Sequence, residues 1–225
     1  MMNILLVAAT EGEIAPFLQQ IQQDWQQTDQ KVYTRGDTEL QICITGVGMT
    51  ATAYALTRAI YKYQYDFILQ AGVGGAYDRN MELGAVFFVT SEQFGDLGVQ
   101  DHYNFLDLFD LGLQNKNDAP FTSDKLVVPS HPLHQRIKLQ EVTGLTINTV
   151  SGDAYTIQAR IEKYNRQVES MEGAALHYVC LNEKIPFAQI RSISNYVEPR
   201  DRNKWQMKEA VIALNKWLST FLQEL

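Results

Sequence analysis

The chain has 225 residues, of which 45% are hydrophobic and 20% are charged, so it is long enough to bury a sizeable core within one domain. This composition excludes a disordered chain, and 14 Gly with 6 Pro exclude a collagen-like or low-complexity sequence. The net charge of −7 argues against nucleic acid or an anionic membrane as the main partner. We therefore expect a single domain over residues 1–225.

The two cysteines, Cys43 and Cys180, each lie in an apolar run, which predicts buried reduced thiols rather than a disulfide. No Cys/His cluster has the spacing of a metal site, so we predict neither a metal nor another cofactor. The first residues lack the basic region and long apolar stretch of a signal peptide. No segment approaches the ~20 apolar residues of a membrane span, so we predict a cytoplasmic protein.

Short apolar runs alternate with helical patterns along the chain. The predicted strands cover residues 3–9, 40–46, 66–72, 84–90, 146–151 and 186–194. The predicted helices are the one that follows Thr10 and those over 50–63, 171–181 and 203–223. Strands that are apolar throughout are buried on both faces, so this alternation predicts an α/β domain with a helix-covered, mostly parallel (mixed) sheet. The polar stretch 95–125 is expected to form a long surface excursion.

Ligands of open α/β sheets bind at the carboxyl ends of the strands. The residues that follow each predicted strand are therefore the candidates for a functional site. They are Thr10–Glu13, Gly46–Gly48, Gly72–Gly75, Ser151–Tyr155 and Ser194–Asn195.

The segment from Gly46 to Ala51 matches the dinucleotide-binding pattern G-x-G-x-x-A between a strand and a helix. Such a site also needs an acidic residue at the end of the next strand, whereas the nearest one, Asp66, stands at its beginning. We therefore reject NAD binding and expect these glycines to allow a tight turn and close helix packing.

Six segments together resemble the purine nucleoside phosphorylase and nucleosidase superfamily and, within it, the futalosine hydrolases. They read ILLVAATEGEI, GVGMTATAYAL, QAGVGGAYD, SGDAYT, VESMEGAAL and IRSISN, and the resemblance covers nearly the whole chain. It implies a three-layer αβα sandwich that cleaves the N-glycosidic bond of a purine nucleoside, without a cofactor and as a homo-oligomer. For the futalosine hydrolases it implies release of hypoxanthine and dehypoxanthinylfutalosine, a reaction of menaquinone biosynthesis.

The resemblance assigns Glu13 to the activation of water, and Met171 with Glu172 to the binding of ribose. The residues alone leave other interpretations open. The pattern Thr10-x-x-Glu13 is also a capping box that opens a helix, and Glu172 read by itself is an exposed acid on a helix.

The resemblance also places the ring of Tyr155 against the purine, the main chain of Thr156 at the base edge, and the backbone at Gly74 close to the ligand. Stacking on an aromatic ring is worth ~1–3 kcal/mol per base in nucleic-acid complexes. By pattern alone, Tyr155 is equally compatible with a place in the core, and Asp153 is expected to cap a turn or helix.

Asn195 departs from the related methylthioadenosine/S-adenosylhomocysteine nucleosidases, which carry aspartic acid there as the proton donor to adenine N7. An amide has one acceptor oxygen and a donor NH₂ group, so Asn195 can accept from a protonated N7 and donate to a 6-oxo group. This arrangement favours hypoxanthine or guanine over adenine, although it leaves open which group supplies the proton.

Hydrolysis is favoured over phosphorolysis because a phosphate dianion needs cations around it. The first 30 residues contain no Lys or Arg, and Gln70 stands near the place where hexameric phosphorylases carry a phosphate-binding arginine. Arg79 follows the second glycine turn and is expected to be a solvated loop residue. A 6-oxopurine phosphorylase, an adenosine-type nucleosidase and a non-catalytic nucleoside sensor remain alternatives.

Futalosine carries a carboxyphenyl ketone on the 5′ side of its ribose. An aromatic carboxylate requires an apolar slot with a basic or donor-rich end. The sequence offers two candidate segments for that slot, which are Pro199–Trp205 and His102–Phe105.

Overall fold

The apolar runs of the sequence assemble into one central sheet in the computed structural model, which describes all 225 residues. The strands are Met2–Ala8 (β1), Gln26–Asp29 (β2), Val32–Arg35 (β3), Thr38–Ile44 (β4), Phe67–Ala76 (β5), Val86–Phe94 (β6), Gly98–Asp101 (β7), Asn104–Asp107 (β8), Leu126–Val127 (β9), Glu141–Thr146 (β10), Val168–Ser170 (β11) and Phe187–Tyr196 (β12). Ten of them form the central sheet in the order β11-β10-β6-β12-β5-β1-β4-β3-β2, with β9 beside β6. Strands β7 and β8 form a separate hairpin.

Helices cover both faces of this sheet. They are Glu11–Asp24 (α1), Met49–Lys62 (α2), Ala154–Tyr164 (α3), Gly173–Glu183 (α4) and Met207–Gln223 (α5). Apolar residues of α1 and α5 pack on one face in the largest core cluster, and α2 and α4 pack on the opposite face. The predicted three-layer αβα sandwich with a mixed sheet is therefore confirmed.

The sheet closes on itself at one end. Strand β5 pairs in parallel with β1 and β12, and its last residues also pair antiparallel with β11, with Gly75 opposite Glu169. Where β12 pairs with Gly74 and Gly75, its register shifts between Ile193 and Asn195. Such a bulge redirects side chains and often lies beside a functional site. The closure gathers the ends of β5, β11 and β12 around one space.

Two element predictions were wrong. The segment 146–151 is mostly loop, and the strand there is Glu141–Thr146. Past Thr146, the amides of Asn148 and Thr149 donate to the Asp96 carboxylate, which diverts the backbone from the sheet. Helix α3 was missed, although Asp153 caps it as expected by accepting from the Thr156 amide at 2.9 Å.

Two predicted helices begin later than their patterns suggested. Helix α4 begins at Gly173 rather than at residue 171, so Met171 lies before the helix and Glu172 at its N-cap. Helix α5 begins at Met207, and residues Arg202–Lys204 form a short 3₁₀ turn before it. The stretch 95–125 contains the β7–β8 hairpin and is largely exposed, as predicted. None of the five helices combines the length and the apolar character that a membrane span requires.

A buried carboxyl group anchors the start of α4. Glu92 is 1% exposed, and its oxygens accept from the Gln189 amide and the Thr146 hydroxyl, each at 2.9 Å. Thr146 in turn accepts from the Ala174 amide at 2.7 Å. A Cβ at Gly173 would lie 2.0 Å from the Glu92 Oε1, so the carboxyl group occupies space that only glycine leaves. Burial raises the pKa of Glu92 to about 7.

We expect Glu92→Gln to remove a pH dependence of stability. Between the ordinary carboxyl pKa and about 7, the folded protein holds the Glu92 proton and the unfolded chain has lost it. The free energy of unfolding of the wild type therefore falls as pH rises through this window, by on the order of 2–3 kcal/mol from this group. Denaturant unfolding from pH 4.5 to 8 measures the difference between the two proteins.

Glu82→Gln is the matched control, because Glu82 is exposed and its side chain forms no hydrogen bond. Its pH profile should follow that of the wild type. If Glu92→Gln also runs parallel to the wild type, Glu92 does not retain its proton in the folded state.

Candidate active site

A cavity of about 490 Å³ lies where β5, β11 and β12 end, as the strand-end argument predicted. Eighteen residues line it, and they include five of the seven residues that sequence analysis proposed. Those five are Glu13, Gly74, Met171, Glu172 and Asn195. Three glutamates line the cavity and no lysine or arginine does.

Glu13 combines a helix-capping role with a place in the cavity. Its Oε2 accepts from the Thr10 amide at 2.9 Å and from the Thr10 hydroxyl at 3.2 Å. Its Oε1 accepts from the Val73 amide at 3.1 Å, across the gap between α1 and β5. A carboxylate has about four lone-pair sites, so Glu13 can still accept a hydrogen bond from a water molecule. The two interpretations from the sequence are therefore compatible.

Glu172 is held by one backbone amide and one buried cation. Its Oε1 accepts from the Gly48 amide at 3.1 Å, and its Oε2 lies 3.2 Å from a guanidinium nitrogen of Arg191. Gly48 has a φ of 97°, a conformation that favours glycine. The Gly46–Gly48 turn therefore presents an amide to Glu172. Because each of its two oxygens keeps a free lone pair, Glu172 can bind the two hydroxyls of a ribose.

Arg191 is the central residue that sequence analysis missed. It is 1% exposed and donates to the Val73 carbonyl at 3.2 Å, to the Gln70 side chain at 3.1 Å and to Glu172. A Cβ at Gly72 would lie 2.5 Å from an Arg191 nitrogen and 2.9 Å from the Glu13 carboxylate. Gly72 thus allows these two charged groups to approach each other. The sequence does carry a signal for this residue. An arginine inside an apolar strand predicts a buried charge, and a buried charge requires a partner.

Sequence analysis also missed Glu169, whose carboxylate is already hydrogen-bonded within the protein. Its carboxylate accepts from the Tyr77 hydroxyl and from the Ser151 amide and hydroxyl, and Arg160 lies 3.6 Å away. Burial raises the pKa of Tyr77, which therefore keeps its proton and remains a donor. Glu169 fastens the 147–152 loop to β5 and α3, and so shapes the cavity wall.

Asn195 is fixed in one orientation by its neighbours. Its Nδ2 donates to the Tyr196 carbonyl at 2.9 Å, and its Oδ1 accepts from the Ser194 hydroxyl at 2.8 Å. A carbonyl can only accept, so the NH₂ side of the amide must face Tyr196. One N–H and one lone pair of Asn195 remain available to a ligand.

The structure does not bring Tyr155 and Thr156 into this cavity. Tyr155 is 57% exposed, and its hydroxyl donates to the Tyr103 carbonyl at 2.6 Å. The Thr156 amide is taken by Asp153, the N-cap of α3. Both residues line a separate groove of about 1190 Å³ between α3 and the β7–β8 hairpin, so the structure does not bring them together with the other five predicted site residues.

The opposite wall of the cavity is apolar. Trp205, Met207 and Val211 come from the entry and first turns of α5, and Val47 comes from the turn before α2. Of the two segments proposed for an aromatic extension, Pro199–Trp205 reaches the cavity through Trp205. The His102–Phe105 segment lines the groove instead, through Tyr103, Asn104 and Phe105.

Comparison with known proteins identifies the family. The model of the phosphorylase superfamily matches residues 3–223, so the chain belongs to the phosphorylase superfamily. Futalosine hydrolase from Thermus thermophilus is 29% identical over 181 residues, which are 80% of this chain and 80% of that protein. A 5′-methylthioadenosine/S-adenosylhomocysteine nucleosidase from Colwellia psychrerythraea is 26% identical over 208 residues, 84% of this chain and 82% of that protein.

The fold agrees with this assignment. The native structure of futalosine hydrolase from Helicobacter pylori superposes with a TM-score of 0.81 at 17% identity. The match covers 100% of this chain and 98% of that one. The resemblance read from the six sequence segments is therefore confirmed at the level of the family and the fold.

We expect Arg191→Met to destabilise the protein and to disorder the Glu172 side of the cavity. Removing one partner of a buried ion pair leaves an uncompensated charge, which costs about 3–5 kcal/mol in the free energy of unfolding. Denaturant unfolding measures the loss, and Arg58→Met, at an exposed position on α2, is the control.

The double variant Arg191→Met/Glu172→Gln separates this cause from simple loss of packing. Because the amide introduced at position 172 carries no charge, the double variant should be more stable than Arg191→Met alone. If the losses in unfolding free energy of the two single variants simply add up in the double variant, the proposed role of the ion pair is contradicted.

Proposed function

We propose that the protein hydrolyses the N-glycosidic bond of futalosine and releases hypoxanthine and dehypoxanthinylfutalosine. The broader class is a nucleoside N-glycosidase, because the family model and the relatives named futalosine hydrolase and methylthioadenosine/S-adenosylhomocysteine nucleosidase agree on that chemistry. The choice of futalosine depends on the base that the cavity can accept.

The choice of base rests on the hydrogen bonds of Asn195. After its bonds to Ser194 and Tyr196, the amide has one free acceptor site and one free N–H. Hypoxanthine with a proton on N7 presents a donor at N7 and an acceptor at O6, which matches this pair. Adenine presents a second donor at its 6-amino group, which leaves the Asn195 N–H without a partner. Asn195 thus favours 6-oxopurine nucleosides.

In the proposed reaction, the Glu13 carboxylate orients a water molecule and accepts its proton as the oxygen attacks C1′. The bond between C1′ and N9 breaks, and its electron pair leaves with the purine. The purine takes a proton at N7 from solvent, and Asn195 accepts a hydrogen bond from that N–H. Glu13 and Glu172 lie near the sugar and stabilise the positive charge that develops on it.

Water is favoured over phosphate as the nucleophile. The cavity is lined by Glu13, Glu169 and Glu172 and by no cation. Of the two guanidinium groups nearest these carboxylates, Arg191 already contacts Glu172 and Gln70, and Arg160 already lies beside Glu169. A phosphate dianion would meet repulsion there without a compensating charge.

A homo-oligomer and a cytoplasmic location also remain predictions. The oligomer is supported by exposed aromatic side chains on two helices that pack together, Tyr54 on α2 and Tyr178 on α4. Such side chains are enriched in protein interfaces.

We expect Glu13→Gln to abolish hypoxanthine release from futalosine in phosphate-free buffer. The amide cannot accept the proton of the attacking water, so kcat should fall by about 10²–10⁴-fold. Chromatography of released base measures the rate.

Glu11→Gln is the matched control, because Glu11 lies in the same first turn of α1, is exposed and does not line the cavity. It should retain wild-type activity. A Glu13→Gln protein as active as the wild type, or a wild type that needs phosphate, would contradict the proposed mechanism.

We expect Asn195→Asp to shift the preference from inosine toward adenosine. A protonated aspartate can donate to N7 and accept from a 6-amino group, whereas an ionised one repels O6. The ratio of kcat/KM for adenosine to that for inosine should rise by at least about tenfold.

Asn182→Asp introduces the same change at an exposed position on α4 and should leave the ratio unchanged. The use of short nucleosides separates base selection from any effect of a 5′ extension. If the ratio stays constant in Asn195→Asp, Asn195 does not select the base, and cleavage of methylthioadenosine becomes the better proposal.

A further inference from the structure

We infer that Arg200 selects substrates whose 5′ extension ends in a carboxylate, by pairing with it at the mouth of the cavity. This inference rests on the proposed function and adds to it a residue that determines specificity. It follows from the position of Trp205, the free guanidinium of Arg200, and the charge of the inner cavity.

The apolar wall leads from the ribose position to solvent. The polar groups that suit a base and a ribose, Asn195 and Glu172, lie at the strand ends. Val47 and Met207 line the same cavity and are 55% and 38% exposed, so they mark its mouth. With the base at Asn195 and the ribose at Glu172, this wall is the side of the cavity left for a 5′ extension, which then passes the ring of Trp205.

Arg200 lies over that ring. Its guanidinium carbon is 5.2 Å from the centroid of Trp205, within the range of a cation–π contact. The contact places the charged guanidinium of Arg200 next to a residue that lines the cavity. Since the guanidinium is planar and always charged, stacking leaves its edge N–H groups directed away from the ring.

The Arg200 guanidinium has no ion pair or hydrogen bond in the protein, whereas two other cations of this region, Arg79 and Lys204, are paired. Arg79 and Lys204 both pair with Glu198, at 2.7 and 3.2 Å, and they hold the pKa of that carboxyl below its ordinary value. Arg200 forms no ion pair and no side-chain hydrogen bond. Its donors therefore remain available to a ligand.

The combination suits an aromatic carboxylate. The ring of such a group packs against Trp205 and Met207, and its carboxylate accepts paired hydrogen bonds from the guanidinium. The inner cavity presents carboxylates and no free cation, while the free guanidinium of Arg200 attracts the carboxylate at the mouth. These two effects orient the substrate with its base inward and its acidic end outward.

The test compares Arg200→Gln with Arg202→Gln on two substrates. Neither arginine lines the cavity itself. Arg202 is an exposed arginine of the same segment that lies over no aromatic ring, so it matches the change in charge without the contact to Trp205. For Arg200→Gln we expect KM for futalosine to rise by about five- to twentyfold, with kcat within twofold of the wild type. Inosine, which has no carboxylate, should be cleaved by all three proteins with similar kcat/KM.

Two results would overturn the inference. One is an equal rise in KM for futalosine in Arg200→Gln and Arg202→Gln, which would mean that Arg200 acts only as a general surface charge. The other is an equal loss with inosine, which would show that Arg200 only supports the wall. Failure of the proposed function is distinguishable, because the wild type itself would then release no hypoxanthine from futalosine.

Discussion

The buried guanidinium of Arg191 is the group on which the candidate active site depends. It links β12 to the Val73 carbonyl and Gln70 of β5, and to Glu172 before α4. Without this charge, Glu172 would be a buried anion whose only partner is the Gly48 amide. Burying an unpaired charge is costly, and Arg191 supplies the compensating charge beside the acid that we propose to bind the ribose.

Closure of the sheet makes this arrangement possible. Because the end of β5 pairs with both β11 and β12, residues from three strands converge within one cavity. Glycines leave space where these strands converge. Gly72 leaves room for Arg191 and Glu13, and a Cβ at Gly74 would lie 2.9 Å from the Glu169 carbonyl. The bulge in β12 places Asn195 beside Gly75 at the same point.

Sequence reasoning recovered those parts of the site that follow from strand ends. Glu13, Gly74 and Asn195 each come after or at the end of an apolar run, and all three line the cavity. Arg191 and Glu169 were missed because each lies within a strand, and a sequence does not reveal which distant groups compensate a buried charge.

The element errors have a similar cause. The alternation in residues 146–151 favours a strand, but capture of two amides by Asp96 ends β10 at Thr146. Tyr155 was expected at the purine, yet its contact with Tyr103 turns it toward the groove beside the β7–β8 hairpin. Both contacts join residues about fifty positions apart, and the sequence around each residue does not reveal them.

The central claim is that the protein hydrolyses a 6-oxopurine nucleoside with an extended 5′ side in the cavity lined by Glu13, Glu172 and Asn195. An equimolar mixture of futalosine and methylthioadenosine, given to the wild-type protein in phosphate-free buffer, tests it most directly. The ratio of hypoxanthine to adenine released at early times reports the ratio of the two kcat/KM values. We predict that hypoxanthine appears well ahead of adenine. Faster release of adenine would contradict the claim.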